Sequence, residues 1–105
     1  MGGARMARRR GARRNTAVDR VQTGIRIEKR ILKVLKAIAE VHDISLGDLV
    51  EGIVMHSFEG KAPFGPATLE RIEALRKVFD LDLTARDSHH LVERDEGEAR
   101  GGGAG

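Results

Sequence analysis

Cysteine, tryptophan and tyrosine are absent from the 105 residues, and there are only three phenylalanines and two prolines. Without cysteine there can be no disulfide, thiolate metal ligand or cysteine nucleophile, and a reducing cytosol is the expected compartment. So few aromatic rings leave little surface on which unpaired bases could stack, which argues against RNA as the ligand. No apolar run approaches the roughly 20 residues needed to cross a bilayer, and no apolar segment of a secretory signal follows the Arg-rich beginning. No membrane partner is therefore expected. The chain also lacks a Gly-rich phosphate loop, and Ser45, Ser57 and Ser88 lie in no sequence context that marks an activated nucleophile. An enzyme is not expected. Asp87, His89 and His90 are metal-ligating types, but adjacent histidines in a polar stretch are more often solvated, so no metal or cofactor is assigned.

The charge that is present is unevenly placed. The formal total is +3, yet residues 1–20 carry seven basic side chains against Asp19 alone, a net of +6. Residues 21–60 sum to −1 and residues 61–105 to −2. Composition thus divides the chain into a basic, flexible arm over 1–20, a compact unit over 21–60, an extension over 61–95 and a disordered Gly-rich tail over 96–105. Arginines that neutralise phosphates release condensed counterions, which makes Arg8, Arg9, Arg10, Arg13 and Arg14 candidate phosphate contacts.

Hydrophobic periodicity changes within the compact unit. Val21, Thr23, Ile25 and Ile27 alternate with Gln22, Gly24 and Arg26, which predicts a strand with a core face and an outward face. From Glu28 the period becomes helical, with Ile31, Leu32, Val34, Leu35, Ile38, Ala39 and Val41 on one side, and this helix is expected to end near His42 and Asp43. Ser45 has the chemistry of an N-cap and Asp48 the spacing of its capping-box partner. A second helix is therefore expected over 46–59, with Gly60 as its stop. Its apolar stripe, Leu46, Leu49, Val50, Ile53, Val54 and Phe58, is broad enough to need two partners, the first helix and a second subunit. Pro66 suits the first turn of a third helix reaching to about Phe79, with Leu69, Ile72, Leu75, Val78 and Phe79 on one side. Asp80 to Leu83 reads as an extended connector.

A strand without a second strand in its own chain is most simply paired with the same strand of another copy. A segment of about 40 residues is also near the limit below which oligomerisation is needed to bury enough apolar surface. This order of elements, with the turn His42-Asp43-Ile44-Ser45 between the helices, resembles the ribbon-helix-helix family of Arc and Met repressors over about forty residues. The resemblance implies a mainly α, intertwined homodimer with a two-stranded antiparallel intersubunit ribbon, to which this chain adds a C-terminal helix.

By that resemblance the ribbon enters the major groove, and Gln22, Gly24 and Arg26 form the base-reading face. Arg26 matches O6 and N7 of guanine and Gln22 matches N6 and N7 of adenine, while Gly24 has no side chain to read with. Phosphates are expected at the first turn of the second helix, at Ser45, Leu46 and Gly47, with Lys29 and Arg30 as further contacts. The function implied is a homodimeric, sequence-selective DNA-binding regulator of transcription in a bacterial cytoplasm, associated with the nucleoid when bound and possible as a dimer of dimers on double-stranded DNA. Two other readings stand beside it. One is an antitoxin-type autorepressor whose residues 61–95 bind a toxin, and the other is a dimeric protein-interaction module without specific DNA binding.

Overall fold

A computed structural model of the chain describes residues 15–94. Arg8, Arg9, Arg10, Arg13 and Arg14, and the Gly-rich tail, lie outside the described residues. The described chain forms three helices, α1 (Lys29–Val41), α2 (Leu46–Phe58) and α3 (Pro66–Val78), followed by a short 3-10 turn at Ala85–Asp87.

Each helix begins where its local chemistry directs. Glu28 caps α1, its carboxylate accepting the backbone N–H groups of Arg30 and Ile31 at 2.9 and 3.0 Å. These amides have no partner within the helix, so a carboxylate at this position satisfies them and favours the positive end of the helix dipole. Ser45 caps α2, its hydroxyl accepting the Asp48 N–H at 3.0 Å. Gly65 precedes α3 without a side-chain cap, and Pro66 occupies the first turn, where a missing N–H costs nothing.

The three helices also end alike. Asp43, Gly60 and Asp80 follow them with φ of 57°, 71° and 58°. In each case the next residue donates its N–H back five positions: Ile44 to Ala39, Lys61 to His56 and Leu81 to Arg76, at 3.0, 2.8 and 2.7 Å. This is the Schellman arrangement, which satisfies carbonyls that the helix leaves open. Only Gly60 is the residue type that reaches the left-handed region without steric cost.

Both α2 and α3 pack against α1, which makes α1 the centre of the fold. The buried core is Val34, Ile38 and Ala39 of α1 with Leu49 of α2, and Leu35, Ile53, Phe64, Ile72, Leu75, Phe79 and Leu81 surround it partly buried. The extension beyond Gly60 therefore closes one side of α1, and the Lys33 ammonium lies 5.8 Å from the centroid of the Phe79 ring. The core is small. On α2 it leaves Val54, Met55 and Phe58 exposed, Phe58 at 82%.

The expected strand is not formed. Residues 15–28 have no regular secondary structure, and no strand or sheet occurs among the described residues. Val21 and Ile25, assigned to a core face, are 85% and 72% exposed; Thr23 is exposed as well, and only Ile27 is half-buried. The physical reason lies in the hydrogen bonds. An extended segment becomes a strand through a ladder to a neighbour, and no other described segment of this chain offers one. Among the described residues the architecture is thus three helices, with α2 and α3 packed on α1. The ribbon-helix-helix fold, with its intertwined homodimer and intersubunit ribbon, is not the one observed.

Candidate nucleic-acid interface

Three ion-paired arginines join residues 15–28, the helices and the segment after α3. Arg20 reaches the first half of α2, donating from Nε and Nη2 to the two carboxylate oxygens of Glu51, both at 2.8 Å, and from Nη2 to Asp48 at 3.2 Å. Arg26 makes a similar two-point contact with Glu93. Its Nε donates to one carboxylate oxygen at 2.8 Å and its Nη2 donates to the other. Arg30, on the first turn of α1, donates to Glu28 at 2.9 Å, to the Asp80 carbonyl at 2.9 Å and to Asp82 at 3.1 Å.

These contacts move the protonation equilibria of both partners. Hydrogen bonding and then charge attraction hold the Arg20 guanidinium above its ordinary value through Glu51 and lower the Glu51 carboxyl through Arg20. The same two causes, in the same order, raise Arg26 and lower Glu93. Burial pushes the Glu28 carboxyl upward, but the Arg30 side chain, the two backbone N–H groups and the Arg30 charge together outweigh it, so Glu28 lies below the usual range. The Arg20 and Arg26 pairs are well exposed. Water and salt screen such pairs, so they direct where the chain lies more than they stabilise the fold.

The expected contact residues divide accordingly. Gln22, Gly24 and Arg26 are all exposed, and a Cβ added at Gly24 would meet nothing within 4 Å. That open space removes one reason for a glycine there, since no described neighbour approaches the backbone closely. Lys29 is exposed, whereas Arg30 is half-buried and occupied by three acceptors. At the start of α2, Ser45 is exposed and already engaged with the Asp48 N–H; Leu46 is half-buried and Gly47 exposed. Asp48 makes no reciprocal bond to complete a capping box and turns its carboxylate to Arg20 instead. The carboxylates of Asp48 and Glu51 thus stand on the first turns of α2, where a phosphate was expected.

Sequence reasoning missed Arg20, Glu51 and Glu93, which connect residues 15–28 to the rest of the chain, and Asp82, which meets Arg30 of α1. It also passed over a complete capping box at residues 84–87. There the Thr84 hydroxyl accepts the Arg86 N–H at 3.3 Å, and Asp87 accepts the Thr84 N–H at 2.8 Å. That spacing, threonine followed three residues later by an acid, was a usable signal. Among the described residues no group of three or more His, Asp or Glu side chains could hold a metal ion, and no helix is long and apolar enough to cross a membrane. Comparison with protein-family models found no match, and neither did comparison with curated proteins or with solved structures.

Proposed function

We propose that this protein is a dimeric, sequence-selective DNA-binding regulator of transcription that works in the cytoplasm, on the nucleoid when bound. The observation that carries this reading is the irregular segment 15–28, exposed as far as Arg26, which presents Gln22 and Arg26 directly after a stretch of net charge +6. Phosphate attraction by the arm brings the segment to the duplex, and Arg26 and Gln22 supply the donors and acceptors that distinguish guanine and adenine edges. The second copy is held by the apolar face of α2 that includes Val54, Met55 and Phe58, exposed in the single chain.

Selection of bound sequences from random double-stranded DNA by the purified protein tests this reading. Enrichment of a repeated half-site, with affinity falling steeply as salt rises, is the expected result. Arg26→Ala should relax the preference at one base of each half-site. Equal affinity for enriched and scrambled DNA would overturn the proposal.

A dimeric protein-interaction module is the second reading, and a specific observation favours it: Arg20, Arg26 and Arg30 are all paired with carboxylates of the same chain. The antitoxin reading has less support. Phe64, Ile72, Leu75 and Phe79 of the extension already pack against the core instead of waiting for a toxin.

A further inference from the structure

The segment after α3 returns to the start of α1. Arg76 donates to the carbonyls of Leu81 and Leu83 at 3.3 and 2.8 Å, turning the chain out of α3, and the Thr84–Asp87 box fixes the next turn. Leu83, Ala85 and Leu91 then line a shallow depression together with Ile31 of α1. From this anchorage two carboxylates reach basic residues near the start of the fold: Asp82 meets Arg30 and Glu93 meets Arg26.

We propose that this return segment is an intramolecular competitor for DNA, with the Glu93 carboxylate occupying the Arg26 guanidinium until a guanine edge of a duplex displaces it. The inference rests on the DNA-binding reading above. Its chemistry follows from shape, because a carboxylate and the O6–N7 edge of guanine each present a pair of acceptors to a guanidinium fork. Glu93 lies two positions beyond Leu91, so the tethered carboxylate has a high effective concentration at Arg26. Yet both partners are exposed, with 81% and 60% of their side chains accessible, so the contact is weak enough for a polyanion to replace. The extended segment is thereby held in a low-affinity state whose release raises nucleic-acid affinity without any change in the helical core.

Fluorescence anisotropy of the full chain with a labelled random-sequence duplex at low salt tests the proposal. Glu93→Gln should bind about two- to fivefold more tightly than the unaltered chain. Glu70→Gln, which makes the same change of formal charge on α3 away from this contact, should produce a smaller gain. In an Arg26→Ala background the advantage of Glu93→Gln over Glu70→Gln should disappear. Equal gains from Glu93→Gln and Glu70→Gln in the otherwise unaltered chain would overturn the masking role while leaving DNA binding intact. No binding by any of these proteins would overturn both masking and the DNA-binding reading.

Discussion

Glu28 holds Arg30 twice, accepting its backbone N–H and its guanidinium Nε, both at 2.9 Å. One carboxylate therefore starts α1 and fixes the side chain that reaches across to Asp80 and Asp82. The cap links the extended segment, the central helix and the return segment through two residues.

Replacing Glu28 by alanine should lower stability by about 0.5–2 kcal/mol, the range measured for removal of a helix cap. Urea unfolding followed by far-UV circular dichroism reads the loss directly. Glu28→Gln should fall between, because an amide oxygen still accepts the Ile31 N–H but carries no charge for Arg30.

Stability should also depend on pH in one direction. Glu28, Glu51 and Glu93 each lie below the ordinary glutamate range in the folded chain. Their contribution is fully present above the unfolded value of about 4.3, and it is lost as pH falls through the lower folded values. The urea midpoint should therefore decline from about pH 4.5 downward, chiefly through Glu28, since water and salt screen the exposed Glu51 and Glu93 pairs, and Glu28→Gln should remove most of that decline. An unchanged midpoint between about pH 5 and 3 would show that these pairs add nothing to the fold.

The helix ends yield paired predictions of opposite sign. Gly60→Ala forces a Cβ into the left-handed region and should destabilise by about 1 kcal/mol, whereas Asp43→Gly relieves a non-glycine residue at φ 57° and should stabilise by a similar or smaller amount. Thermal unfolding of both variants beside the unaltered chain decides the matter.

Ile38 is 1% exposed at the centre of a core that, among the described residues, has four buried apolar side chains. Ile38→Ala should cost about 2–5 kcal/mol, a large share of the total for a domain of this size, and should broaden or abolish the unfolding transition.

Phe58 tests the second copy. Sedimentation equilibrium should give the mass of two chains for the unaltered protein and of one for Phe58→Glu, with the helical circular dichroism retained. A single-chain mass for the unaltered protein at concentrations of tens of micromolar would remove the dimer from the proposed function.

What was legible beforehand and what was not can be traced to particular residues. The helices begin and end within one or two positions of their expected bounds, because the apolar spacing from Ile31 to Ile38, the Ser45 cap, the Gly60 stop and Pro66 all act within a few residues. The strand failed because alternation at 21–27 states only which side chains could share a face. It does not provide the neighbour that a ladder needs. Gln22 and Arg26 are exposed, but so are Val21, Thr23 and Ile25, so the alternation does not set the candidate contacts apart, and their present partners were not legible either. Arg20 with Glu51, Arg30 with Asp82 and Arg26 with Glu93 are separated by 31, 52 and 67 positions.

By itself, then, the sequence determined the three helices of the described residues, the Ser45 cap and the concentration of positive charge ahead of them, since helix formation and capping are settled among near neighbours. Tertiary structure decided that α3 covers α1, that residues 15–28 remain without a sheet, and which carboxylate each arginine meets. Those outcomes depend on distances through space, and among so many acidic side chains no local pattern marks Glu93 as the partner of Arg26.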